Sequence, residues 1–139
     1  EYNLPIICSL HPRTKNKMDQ FKISTNNTNV QFIEPVGFFD FIKLEKNAYL
    51  VLTDSGTVQE ECCIFNVPNV TIRDVTERPE TIEAGSNLIS GASPERILKL
   101  SKIAVQSNCN WKVPDEYLTE NVSEIVTRIL LNYYRNPVG

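Results

Sequence analysis

Short apolar runs alternate along the chain with segments of helical spacing. Residues 4–10 (LPIICSL) read as a buried strand, and 30–33 (VQFI), 49–53 (YLVLT), 67–72 (VPNVTI) and 87–90 (NLIS) as four more. The run at 49–53 is the most apolar. Pro68 sits at the start of its strand, where a missing N–H does little harm. Between the strands, 12–21, 38–46 and 57–65 read as helices, and 24–29 (STNNTN) as a polar turn. Two later helices follow from apolar positions at helical spacing. One covers 94–106, with Ser93 as N-cap and Pro94 at its first position. The other covers 122–134 through Val122, Ile125, Val126, Ile129 and Leu130.

Strands of this length alternating with helices predict an α/β fold with a mostly parallel sheet. Strands without polar alternation suit a sheet covered on both faces. Ligands of such sheets sit beyond the carboxyl ends of the strands, often against helix N-termini. Any chemistry should therefore lie at residues 9–13, 34–39, 53–56 and from Arg73 onwards.

Composition narrows the classes. One domain with a real core suits 139 residues. A net charge of −3 offers no field for nucleic acid or an anionic membrane, so an anionic ligand would need local donors. No apolar run is long enough to span a bilayer. The N-terminus lacks the basic start and cleavage site of a signal peptide. It also lacks Met and enters a strand almost at once, so an upstream part is expected. Cys8, Cys62, Cys63 and Cys109 contain no C-x-x-C pair, and with one histidine no metal site is expected. Cys8 and Cys62 or Cys63 read as small buried hydrophobes in a reducing cytoplasm. The sequons at Asn26, Asn69 and Asn121 are then chance matches.

The richest segment is 50–61 (LVLTDSGTVQEE), where a buried strand stops at a small polar turn and a helix begins. The unpaired N–H groups and dipole of a first helical turn make an anion site. Ser55 adds a hydroxyl, and Gly56 lets a phosphate approach the backbone. Taken alone, such a junction is more often a helix start capped by Asp54 or Ser55. Glu60 and Glu61 suit the helix dipole, and either carboxylate could take both hydroxyls of a ribose. The second segment, 72–85, is dense in charge of both signs. Pro79 pushes Arg78 towards an extended backbone, which would hold its guanidinium away from its own loop. Arginine suits bidentate phosphate binding. By itself the segment reads as a solvated loop with Arg73–Asp74 and Arg78–Glu pairs.

The stretches LTDSGTVQEE, IFNVPNVTIRD and TERPETIEAGSN in series resemble the C-terminal domain of the non-hydrolysing UDP-N-acetylglucosamine 2-epimerases. D-S-G-x-x-Q-E-E with R-D-x-T-E-R-P-E at this spacing is specific, and the resemblance runs from about residue 5 to about residue 91. The family has a second glycine where Thr57 stands, and Ala-Pro and Gly in place of Cys62-Cys63 and Asn66. These departures resemble the capsule-synthesis branch, which includes enzymes acting on UDP-6-deoxy-HexNAc sugars.

The resemblance implies the C-terminal, Rossmann-like half of the two-domain GT-B fold, with residues 1–139 as a UDP-binding domain and the N-terminal domain absent. It implies elimination of UDP to a 2-acetamidoglucal and re-addition after the C2 proton is replaced on the other face, without a cofactor. By motif match, Ser55 and Gly56 hold the diphosphate, Glu61 takes the ribose hydroxyls, and Arg78 stabilises the diphosphate as it leaves; Thr57, beside them, is expected among the substrate-binding residues. The segment around Pro35, with Phe38, Phe39 or Phe41, matches the region near uracil; the plainer reading is a helix start with Phe in the core. His11 falls where the family has a histidine, an acid or base in one reading and a ligand contact or helix-start residue in the other. The remaining acid and base groups belong upstream of residue 1. The partners implied are a UDP-HexNAc, the missing domain and a second copy in a homodimer. A GT-B glycosyltransferase donor domain and a non-catalytic nucleotide-binding module are the alternatives. A flavodoxin- or receiver-like domain would need an acidic cluster and a lysine at specific strand ends, which this sequence does not show.

Overall fold

The computed structural model of the chain describes residues 2–24 and 26–135. It forms two compact units, Glu1–Leu44 and Glu45–Gly139.

In the first unit, β1 (Ile6–Ser9) is followed by α1 (Pro12–Gln20), β2 (Val30–Ile33) and the first turns of α2 (Phe38–Lys46). β1 and β2 pair in parallel, with Ile6 opposite Val30 and Ser9 opposite Ile33. The strand expected over 4–10 is therefore shorter. β2 offers only four partners between the polar turn and Pro35, which has no N–H to give. α1 starts where Pro12 fixes the backbone and the His11 side chain accepts a bond from the Arg13 N–H. Lys15 on this helix pairs with Glu34 just past β2 at 2.5 Å.

The sequence predicts strands covered on both faces, but Ile6 and Ile7 are about half exposed.

In the second unit, β3 (Val51–Thr53), α3 (Gly56–Phe65), β4 (Asn69–Thr71), α4 (Pro79–Glu83), β5 (Asn87–Ile89), α5 (Pro94–Gln106) and α6 (Val122–Arg135) follow in order. A turn of 3-10 helix, Asp115–Leu118, lies between the last two. The strands run parallel in the order β3-β4-β5. Neither α4 nor the 3-10 turn is visible in the apolar pattern, because each is a single turn or little more. The 49–53 run is the most apolar in the sequence, yet Leu52 is 50% exposed, since β3 is an end strand of its sheet.

α3 ends at Asn66, which takes the left-handed conformation (φ 56°) and turns its N–H back to Cys62 and Cys63. Asparagine is the side chain that best tolerates a position otherwise given to glycine. That accounts for Asn66 standing where the resemblance expects Gly. Gly91 (φ 66°) has a second reason to be glycine: a Cβ there would lie 2.6 Å from Asp74 Oδ1.

The centre of this unit is more polar than its strands suggest. Val70, Cys62 and Cys63 are fully buried, but so are Gln59, Thr71, Thr81 and Ser90. These polar groups are tolerated because they bond to one another. Thr71 donates to Asn87 Oδ1 (2.9 Å), Asn69 Nδ2 to the Ser86 carbonyl (2.9 Å) and Ser86 Oγ to the Thr81 carbonyl (3.0 Å). Asn69, one of the sequon asparagines, is thus enclosed. Cys62 and Cys63 behave as the buried hydrophobes expected, whereas Cys8 is only half-buried. Trp111 anchors the segment after α5 by donating its indole N–H to the Cys63 carbonyl at 2.9 Å.

Candidate functional site

β3 ends at Thr53, whose hydroxyl accepts the Ser55 N–H at 3.0 Å and so turns the chain sharply into α3. Ser55 is the N-cap residue, with extended backbone (φ −90°, ψ 131°), yet its hydroxyl makes no capping bond. A serine in that place normally accepts from the second or third helical N–H. Here the hydroxyl makes no such bond, so Ser55 occupies the cap position without capping through its side chain. Gly56 opens the helix. A Cβ on it would meet the Arg78 guanidinium, with Cζ at 3.3 Å and Nε and Nη2 at 3.5 Å.

Arg78 reaches this place from the loop after β4. It caps α4 with φ −126° and ψ 64°, so its backbone is only partly extended. The expectation that its guanidinium avoids its own loop is corrected. Nη1 donates to the Glu77 carbonyl at 3.0 Å, while Nε pairs with Glu60 on α3. The guanidinium thus lies across the start of α3, held from both sides. Its ion partner is Glu60 in the neighbouring helix rather than a carboxylate of the loop. Arg73 likewise pairs with Glu77 (3.7 Å) and not with the adjacent Asp74, and donates to the Asp54 carbonyl at 3.4 Å.

The loop that carries Arg78 is fixed from beneath. Gln59 Oε1 accepts from Thr76 Oγ1 (2.7 Å) and from Asn87 Nδ2 (3.0 Å). Thr76 Oγ1 in turn accepts the Arg78 N–H at 3.0 Å, and Thr81 Oγ1 donates to the Arg78 carbonyl at 2.8 Å. Sequence reasoning missed this set. A glutamine between an apolar residue and two glutamates carries no sign that it is enclosed.

Glu61, one residue past Glu60, is half-buried and faces Glu45 at the end of α2. Burial, then the Glu61 charge and a hydrogen bond with Glu61, push the Glu45 carboxyl up to about 7. Burial raises Glu61 as well, against the bond to Glu45. Burial also pushes the Cys62 thiol up to about 12, with Glu45 and Glu61 adding to it, so Cys62 is no nucleophile. Tyr117 on the 3-10 turn donates to Glu80 at 3.3 Å, and burial with the Glu80 and Glu60 charges holds its hydroxyl up at about 12.

Ser55, Gly56, Thr57, Glu61 and Arg78 thus belong to one unit, and the helix start brings Gly56 and Arg78 together. Thr57 is exposed on the first turn. His11, Pro35 and Phe41 belong to the other unit. There His11 is an exposed N-cap, Pro35 is exposed and Phe41 is half-buried. Phe38 and Phe39 are not core residues. They stack edge to face at 5.6 Å and are largely exposed.

A cation laid over a helix start at the carboxyl ends of parallel strands defines an α/β unit able to take an anion at its sheet edge. The family follows from comparison with known proteins. The family model for UDP-N-acetylglucosamine 2-epimerase matches residues 1–131. The UDP-N-acetylglucosamine 2-epimerase of Methanocaldococcus jannaschii is 48% identical over 116 residues, which is 81% of this chain and 32% of that protein. The UDP-2,3-diacetamido-2,3-dideoxy-D-glucuronate 2-epimerase of Pseudomonas aeruginosa is 38% identical over 101 residues, 73% of this chain and 28% of that protein. The crystal structure of the M. jannaschii UDP-GlcNAc 2-epimerase in complex with UDP-GlcNAc and UDP superposes with a TM-score of 0.87 at 45% identity, covering 94% of this chain and 36% of that one. This chain belongs to the UDP-N-acetylglucosamine 2-epimerase family. It spans about a third of the length of the relatives it matches. Among the described residues no helix is long and apolar enough to cross a membrane.

Proposed function

We propose that residues 1–139 form the C-terminal UDP-binding domain of a UDP-HexNAc 2-epimerase, active when joined to a Rossmann-like N-terminal domain. The observation that carries this reading is the Arg78 guanidinium lying over Gly56 at the start of α3, beside a Ser55 hydroxyl that caps nothing. The diphosphate takes the Ser55 hydroxyl, the first-turn N–H groups at Gly56 and Thr57, and Arg78. The ribose diol donates to Glu61. Pro35 and Phe41, which belong to the other unit, are the residues that the resemblance assigns to uracil.

In the reaction, a base removes the C2 proton and the C1–O bond breaks, its electron pair leaving on UDP. A proton then arrives on the opposite face of C2, and the UDP oxygen re-forms the bond to C1. Arg78 is catalytic because negative charge grows on the diphosphate as that bond breaks. His11 is the second catalytic candidate in this chain, as a proton carrier. The full protein works in the cytoplasm as a homodimer, in bacterial surface polysaccharide synthesis. The capsule branch and a 6-deoxy sugar remain the reading of Thr57, Cys62-Cys63 and Asn66.

The test is calorimetric titration of the chain with UDP, together with NMR of UDP-N-acetylglucosamine in D2O. The chain is expected to bind UDP but not to exchange the C2 hydrogen, since the main acid and base groups lie outside it. No heat of binding for UDP refutes the proposal; exchange at C2 refutes the division of labour.

A sharper expectation concerns Ser55→Ala. As its hydroxyl makes no capping bond, stability should change by no more than about 0.5 kcal/mol, against about 1 kcal/mol for a lost cap. UDP binding should weaken roughly tenfold, the loss of one charge-assisted hydrogen bond. Thermal unfolding and calorimetry on the same variant separate the two. A stability loss without a binding loss returns Ser55 to a capping role.

A further inference from the structure

Glu45 ends α2 almost fully enclosed, at 3% exposure. No N–H or O–H donor from the described residues reaches either of its side-chain oxygens. What its carboxyl group meets is the carboxyl group of Glu61. Two ionised carboxylates have only acceptors to offer each other, so a bond between them exists only when one holds a proton. The proton belongs on the more buried group, since burial disfavours charge.

α3 faces the pair with Glu60 and the neutral thiol of Cys62. Arg78 is taken by Glu60. Lys46, next to Glu45 on its own helix, places its ammonium over the Phe65 ring at 5.0 Å.

We propose that Glu45 is a positioning residue for Glu61: its carboxyl group donates an O–H to the Glu61 carboxylate and holds it in the orientation that accepts the ribose hydroxyls. This rests on Glu61 being the ribose acceptor, and deepens that reading. The bond occupies one lone pair of Glu61 and leaves the others for the diol. When Glu45 loses its proton the bond is lost, and a second buried negative charge stands against Glu61. Nucleotide affinity then falls as pH rises through about 7, where the Glu45 carboxyl titrates.

The sign for stability is the same. A carboxyl raised from 4.5 to about 7 by folding stabilises the fold fully below 4.5, and that stability is lost as pH rises through about 7. The test compares the chain with Glu45→Gln, whose amide keeps a donor for Glu61 and does not titrate. The ligand is UDP-N-acetylglucosamine, whose diphosphate diester does not titrate near neutrality.

Wild-type affinity should drop severalfold between pH 6 and pH 8.5, roughly the loss of one hydrogen bond, while Glu45→Gln stays flat and matches the wild type at pH 6. The melting temperature of Glu45→Gln should exceed that of the wild type at pH 8.5 and not at pH 4. An equal affinity drop in both proteins overturns the proposal, as does a melting difference that does not change with pH. If the wild type shows no binding at any pH, the nucleotide reading fails and takes this inference with it. If binding is present but the pH step is shared, only the pairing fails.

Discussion

Replacing Arg78 with alanine in the full-length enzyme should lower kcat by about 10²–10³, the usual cost of removing one preorganised donor aimed at developing charge. UDP affinity should fall much less, by about tenfold. The asymmetry follows from when the partner charge appears. In the bound sugar nucleotide the diphosphate is a diester with its charge shared. As the C1–O bond breaks, an additional negative charge develops on the leaving diphosphate, which the proposed function sets against the guanidinium. An interaction that strengthens along that path lowers the barrier more than it tightens binding.

The structure supplies the preorganisation. Glu60 holds Nε and the Glu77 carbonyl holds Nη1, which leaves Nη2 beside the Gly56 backbone. The head group needs no search when the charge develops. Arg78→Lys should recover little, because a compact ammonium lacks the planar fork that reaches Glu60, the Glu77 carbonyl and a phosphate oxygen from separate nitrogens. Steady-state kinetics with calorimetry of UDP on both variants checks this. Equal losses in kcat and affinity would make Arg78 a binding residue only.

Much of this arrangement was legible in the sequence, though unevenly. The elements were, because each rests on local pattern: the 38–46 and 94–106 helices and the 30–33 strand match α2, α5 and β2 residue for residue. The strand ends were not, since they depend on which residues find a partner. β4 spans only Asn69–Thr71, although the Pro68 carbonyl and the Ile72 N–H still bond to β3. The 55–78 pairing was legible only through the resemblance, for spacing alone cannot say that a loop arginine crosses to the next helix. Glu45 and Gln59 were not legible at all. Each looks like an ordinary solvated helix residue, and only the packing of α3 reveals that both are enclosed.

Gln59 is where that hidden layer can be tested most severely. Its amide orientation is fixed, because Oε1 accepts two donors and a flipped amide would set donor against donor. Gln59→Leu keeps the volume but leaves the Thr76 hydroxyl and the Asn87 amide without their acceptor. A buried donor left unmatched costs about 1–3 kcal/mol. Thr76 is only half-buried and can turn to water, and leucine also removes the unpartnered Nε2 of Gln59. A net loss of about 2–3 kcal/mol is expected, which lowers the melting temperature of a unit this size by roughly 10–20 °C.

The loss should also reach the site, since Thr76 Oγ1 is the acceptor for the Arg78 N–H. UDP binding should therefore weaken in the folded variant well below its melting point. Gln59→Glu separates the bond from the shape. Its protonated form still offers an acceptor oxygen, and burial favours that form at low pH. This variant should approach wild-type stability near pH 4 and lose it as pH rises. A Gln59→Leu variant that melts within a degree or two of the wild type would mean that water replaces the amide. The Arg78 loop would then hold its place without Gln59.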